Sequence, residues 1–365
     1  MTSKKMSIAD GFTSTFPAVR GIQSGRPCYI AMCPMRLIPK MFIFNEEEVP
    51  ADLRAQRKLN HSRIPEIAAY LVDNARDYTL SAITASIDGV VAFEPSADTG
   101  IGQNIGTLSI HMGAQILIND GQHRRAAIEE AIKTNPEIGY DNIPVLFFID
   151  EGLTRSQQMF ADLNKHAVRP SDSISTLYDH RDSISELARY MVKNVDIFER
   201  MTEMEKSSIS NRSTKLFTLS AIKNASKTLL RISKGQVVSN DAKEVGVLYW
   251  ATVAAQMPDW LLAKKKEVST AELREQYVHA HAVTLQALGI IGAELIVRPK
   301  VEWVAVLSKL RLVDWSRSNL DWEGRALSHG RISKSHVNVA LTANYIKTVL
   351  GIPLSNAELT LEGGV

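Results

Sequence analysis

The chain has 365 residues, 45% hydrophobic and 22% charged, the profile of a globular protein with one large domain or two moderate ones. That balance excludes collagen-like, mucin-like and wholly disordered chains. Forty-two Lys and Arg against 40 Asp and Glu leave a net charge of +2. A uniformly basic nucleic-acid binder is excluded, so any such partner must be met by local charge.

The first twelve residues, MTSKKMSIADGF, carry two lysines with no apolar run behind them, so no secretory signal is expected. The run Ile143–Ile149 is too short to cross a bilayer, and a cytoplasmic protein is expected. Cys28 and Cys33 lie five apart on a strand and point to opposite faces, poorly placed to bridge each other. They are expected to be buried and reduced.

In chain order, Phe16–Gln23 and Cys28–Met32 predict a hairpin around Ser24-Gly-Arg-Pro27. Ile64, Ile67, Ala68 and Leu71 keep helical spacing after Ser62. Tyr78–Ile87, Gly89–Phe93, Thr107–His111 and Ala114–Asn119 read as strands, with Asp98–Gly106 a loop. A helix follows through Arg125, Ile128 and Ile132, then a buried strand at Ile143–Ile149. Thr154-Arg-Ser-Gln157 has capping-box spacing and opens a helix through Met159, Phe160 and Leu163.

From Tyr178 onward the pattern is helical: Ile184–Val192, Leu219–Ile232, Val245–Ala255, Ala271–Leu288, Val301–Leu310 and Val337–Leu350. The predicted fold is α/β (α+β), with a mixed-sheet domain at 1–177 and a mainly helical domain at 178–365.

The densest polar motif is Asp120-Gly-Gln-His-Arg-Arg125, at a strand end. Gly121 can take the positive φ of a tight turn, and His123, Arg124 and Arg125 then fall in a helix's first turn. Free N–H groups and guanidinium groups there favour phosphate. The ordinary alternative is that Asp120 caps the helix and the arginines are solvated. A second cluster, Asn164, Lys165, His166 and Arg169, sits where the following helix breaks before Pro170.

With FPAVRGIQSGRPCYIAM upstream, MFADLNKHAVRPS downstream and the tail segments Trp322–Arg325 and Gly330–Lys334, the run DGQHRRAA resembles the DGQHR-domain family. Within it the resemblance is to the DndB type, regulators of DNA phosphorothioation (DNA sulfur modification) genes. It implies a DNA-binding repressor of the modification operon, and a motif corner like that of ParB- and sulfiredoxin-like folds. A nucleotide or phosphate is the ligand such a corner can hold; no other cofactor is implied. Asp120, Gly121, Gln122, His123, Arg124, Arg125, Asn164, His166 and Arg169 are the candidate phosphate-binding residues.

From Lys206 to Lys234 there are seven basic residues and no acid. Lys223, Lys227 and Arg231 recur every four residues and predict one cationic stripe on a helix. Like charges at that spacing repel, so a stripe without compensating acids suits a helix that tracks phosphates. Arg212, Lys215, Lys223, Lys227, Arg231 and Lys234 are therefore the candidate DNA contacts, with hydroxyls and amides at 207–214 beside them. A solvated helix face is the ordinary alternative.

Other signals are weak. His279 and His281, two apart, are not a metal pair on a helix, and no metal site is expected. No phosphate loop, GxSxG elbow or zinc knuckle occurs, and no catalytic set is complete. Trp250, Trp260, Trp303, Trp315 and Trp322 read as packing anchors. Three functions stay open: a repressor binding double-stranded DNA as a homo-oligomer, a nucleotide- or DNA-phosphate-handling enzyme at the Asp120 corner, and an assembly partner of the DNA-modification proteins.

Overall fold

A computed structural model describes residues 12–42, 61–153, 155–165, 170–233 and 235–363. The chain divides into two compact units, residues 1–168 and 169–365.

In the first unit β1 (Thr13–Gln23) and β2 (Arg26–Pro34) form the expected hairpin. Its turn is Ser24-Gly25, both at positive φ, with Gln23 opposite Arg26: a two-residue turn whose twist matches the strands. Next come α1 (Ile38–Met41), α2 (Ile64–Asp73), β3 (Ile83–Asp88), β4 (Val91–Pro95), β5 (Ile105–His111), β6 (Gln115–Asp120), α3 (Gln122–Thr134), β7 (Asn142–Ile149) and α4 (Ser156–Lys165).

The seven strands pair in the order β4-β5-β1-β2-β7-β3-β6, antiparallel except for parallel β3 and β7. Ile83, Ala85, Ile116, Ile118, Val145 and Phe147 bury one face under Ala68 and Leu71 of α2 and Ala127, Ile128 and Ala131 of α3. Both cysteines are free and buried; burial pushes the Cys33 thiol up to about 12. The strand expected from Tyr78 starts only at Ile83. Tyr78 instead turns its hydroxyl to Asp141, which raises the phenol pKa along with burial.

The second unit is helical: α5 (Asp172–Tyr178), α6 (Ser183–Asn194), α7 (Asp196–Met201), α8 (Leu219–Leu229), α9 (Asn240–Ala255), α10 (Pro258–Lys264), α11 (Thr270–Gln276), α12 (Ala282–Leu295), α13 (Lys300–Leu307), α14 (His336–Leu350) and α15 (Asn356–Glu362). Helix α5, placed in the first domain by sequence, packs on α6 and α8. The core centres on α8 and α12, and all five tryptophans are buried in it. Gly289 permits that approach: a Cβ there would lie 2.5 Å from the Ala225 carbonyl oxygen.

Two helix predictions need correction. The helix expected over 271–288 is broken at 277–281, because Tyr277 bridges to Ser316 and Val278 N–H donates to the Trp315 carbonyl. The helix expected to reach Ile232 ends at Leu229. Among the described residues no helix is long and apolar enough to cross a membrane.

Candidate functional site

At the corner after β6, Gly121 has φ of 111°, a conformation that disfavours every L side chain. A Cβ there would also meet Ile83 at 3.0 Å and the Arg124 guanidinium at 3.1 Å. Asp120 does not cap α3. It accepts from Arg124 Nη2 at 2.6 Å, and the same guanidinium donates to Ser81 Oγ at 2.8 Å and the Ala82 carbonyl at 3.1 Å. Arg124 therefore ties the turn to the entry of β3.

Arg125 pairs with Glu129 at 2.6 Å and donates to the Pro39 carbonyl at 2.8 Å, pinning α1 to α3. Gln122 reaches the Ile118 carbonyl at 3.4 Å, and His123 is half-buried. The ordinary alternative, Asp120 as helix cap with solvated arginines, fails on both counts, because Asp120 makes no cap and each guanidinium has intramolecular acceptors. Much of the motif's polar density is the architecture of a strand–turn–helix joint.

Behind the corner, Asn119 donates to Ser86 Oγ at 2.7 Å and accepts from Ser156 Oγ at 2.6 Å, all three fully buried. This docks the start of α4 on β6 and β3. Of the second polar cluster, Asn164 and Lys165 lie on the last turn of α4. His166 and Arg169 lie outside the described residues, as does Thr154 of the expected capping box.

The basic segment departs further from expectation. Lys223, on α8, donates to Asp182 Oδ2 and Ser185 Oγ, each at 2.7 Å, so its charge is answered by α6. Burial raises the Asp182 carboxyl. Bonds from Lys223 and Ser185, the Lys223 charge and the Ile184 N–H outweigh it and bring the carboxyl down to about 2.

Arg231 leaves the stripe altogether. It sits past the helix end at φ 51°, with Ile232 N–H on the Lys227 carbonyl. This is a Schellman-type end with arginine where glycine is usual. Lys227 remains on α8, and Lys215 Nζ donates to the Arg200 carbonyl at 2.7 Å. Lys234 lies outside the described residues. Lys206, Arg212 and Arg231 are exposed and Lys227 half-exposed; none of these four side chains bonds or ion-pairs with another described residue.

Two arginines that the sequence did not single out organise this region. Arg274 donates to the carbonyls of Ser210, Asn211, Ser213 and Lys215, fixing the serine-rich segment as a loop against α11. Arg317 donates to the carbonyls of Glu275 and Gly330. They are about sixty and a hundred residues away from the loop in sequence, so no local spacing reveals them.

The histidines are accounted for. Trp260 Nε1 donates to His279 Nδ1 at 3.1 Å, which leaves Nε2–H for Asp259 at 3.1 Å. His281 holds the Arg274 carbonyl at 2.8 Å; burial and neighbouring cations push its pKa down to about 4, so it is neutral near pH 7. No cluster among the described residues could hold a metal ion.

The family profile described as DndB, DNA-sulfur modification-associated, matches residues 16–353, nearly the whole chain. The chain belongs to that family. No curated protein and no solved structure matches it. Membership ties the chain to DNA sulfur modification, as the sequence resemblance implied.

Proposed function

We propose that this DndB-family protein is a DNA-binding regulator that represses the DNA sulfur-modification genes. The observation that carries this is the set Lys206, Arg212, Lys227 and Arg231, cations whose side chains have no intramolecular partners among the described residues, the first two at the serine-rich loop and the last two at the C-terminal end of α8. Cations left unneutralised in this way release DNA counterions on contact, while the loop hydroxyls hydrogen-bond phosphate oxygens. Double-stranded promoter DNA is the proposed partner, bound by a homo-oligomer matched to a palindromic site. The cytoplasm is where such a protein would meet it.

Footprinting and gel-shift titration on the modification promoter test the proposal. A protected site is expected, with affinity falling steeply as salt rises. No retention of promoter DNA at low salt overturns it. Retention of the other modification proteins without DNA assigns an assembly role instead.

One observation favours a second reading. The Arg124 Nε is buried with no acceptor among the described residues, so the Asp120 corner keeps one donor that the fold itself does not use. Nucleotide hydrolysis by the purified protein, lost on His123→Ala with the fold intact, would support an enzyme at that corner. Absence of turnover removes it.

A further inference from the structure

The second unit holds a cavity of about 540 Å³, a size that suits a small-molecule ligand. Its lining divides by chemistry. Arg274 and Arg317 contribute guanidinium groups whose hydrogen bonds run to backbone carbonyls, and neither is ion-paired with a carboxylate among the described residues. Helix α12 starts at the same lining: its N-cap, His281, makes no side-chain capping bond, and the N–H groups of Ala282 and Val283 have no acceptor among the described residues. Two cations and an open helix N-terminus in one concavity favour an anion.

The rest of the lining narrows the class. Ile209, Ala271 and Ala282 supply half-buried apolar surface, which a bare phosphate would leave unused. Glu275 supplies a carboxylate, an acceptor that a hydrocarbon anion would leave unpaired. A nucleoside phosphate answers all three: phosphate for the cations, a flat base for the apolar surface, and hydroxyl or amine donors for Glu275.

We propose that this cavity binds a free nucleoside monophosphate, its phosphate held by Arg274, Arg317 and the first turn of α12. Arg274 also grips four carbonyls of the serine-rich loop, so an occupied cavity changes how that loop meets DNA. This coupling rests on the DNA-binding reading; the site itself does not.

Calorimetry on the full chain tests it, using the four ribonucleoside monophosphates, inorganic phosphate and the free nucleosides, each to about 1 mM, the weak limit of useful affinity. At least one monophosphate is expected to bind about tenfold more tightly than phosphate or its own nucleoside. Arg317→Gln should weaken it by about tenfold through loss of a phosphate contact. Because Arg317 also holds two backbone carbonyls, Ala271→Glu serves as the second variant. It places a carboxylate in the lining from the first turn of α11, where an acid suits the helix, and should abolish binding with the melting temperature unchanged.

No heat with any monophosphate overturns the proposal, as does full binding by Ala271→Glu. If duplex DNA binding is lost in Ala271→Glu while no monophosphate binds, the cavity belongs to the DNA backbone and the proposal is again overturned. Monophosphate binding in a chain that retains no promoter DNA leaves the site standing and overturns only the regulator reading.

Discussion

Lys223 Nζ lies 2.7 Å from Asp182 Oδ2, so the most basic stretch of this chain is partly neutralised by an acid 41 residues before it. The pair is largely shielded, with side chains 26% and 29% exposed. Its members come from α6 and α8, and Asp182 also caps α6 by accepting from the Ile184 and Ser185 N–H groups.

That geometry sets a pH-dependent contribution to stability. The folded Asp182 carboxyl titrates near 2, below its ordinary 3.8. The stabilisation is therefore full above the ordinary value and is lost as pH falls through about 2. Asp182→Asn keeps a capping side chain but removes the charge, and after allowing for solvent screening should cost about 1–2 kcal/mol at pH 7. Urea unfolding at pH 7 and pH 2 checks this: the gap between wild type and variant should narrow at the lower pH, where the folded carboxyl is about half protonated.

The same pairing separates the basic residues into two groups in DNA binding. Lys223 is committed to Asp182, so Lys223→Ala should leave the salt dependence of promoter binding nearly unchanged. Arg212→Ala and Arg231→Ala should each reduce the slope of log affinity against log salt by about 1. Gel-shift titrations over a salt series measure both. Equal slopes for Lys223→Ala and Arg212→Ala would remove the distinction.

How much of this was legible in the sequence differs by feature. The hairpin was, because the turn-forming Ser24-Gly-Arg-Pro27 lies between two apolar runs, although the closing of the turn on Ser24 and Gly25 alone emerges only in the structure. The Asp120–Gly121 joint was, because the glycine is needed where φ reaches 111°. The end of α8 was not: its αL position is filled by Arg231, so the usual glycine signal is missing and the basic period runs past the true end. Ion pairs such as Lys223–Asp182 and the reach of Arg274 to the serine-rich loop depend on tertiary contacts between distant segments, which local periodicity cannot carry.

The Asp120 corner makes a prediction about stability that bears on any test of its chemistry. Arg124→Ala leaves Asp120 and the Ala82 carbonyl without their donor, and should cost about 1–3 kcal/mol. Arg124→Lys should recover only part of that, because one ammonium cannot reproduce the planar fork that spans Ser81, Ala82 and Asp120. Thermal unfolding of the two variants reads the order wild type, Lys, Ala. Loss of any ligand in Arg124→Ala is therefore ambiguous between contact and fold, so ligand loss at the corner is read beside the melting temperature of each variant, His123→Ala included.

The contact between α8 and α12 gives the most severe packing prediction. A methyl group at Gly289 would sit 2.5 Å from the Ala225 carbonyl oxygen, a backbone atom that no side-chain rotation can move. At Gly292 the obstacles are Leu229 Cδ1 at 2.4 Å and the Tyr249 ring at 2.5 Å, and that ring is itself anchored through its hydroxyl to the Leu288 carbonyl. Gly289→Ala must push the helices apart and Gly292→Ala must displace the Leu229 and Tyr249 side chains, each costing about 1–3 kcal/mol, with Gly289→Ala at the upper end because backbone must yield. Helix propensity favours alanine by up to about 1 kcal/mol, so an observed destabilisation understates the clash. Because α8 carries Lys223 and Lys227, a displaced helix also moves both cations. Gly289→Ala should thus weaken promoter binding without removing a charge, and with the salt slope unchanged, whereas Arg212→Ala lowers the slope.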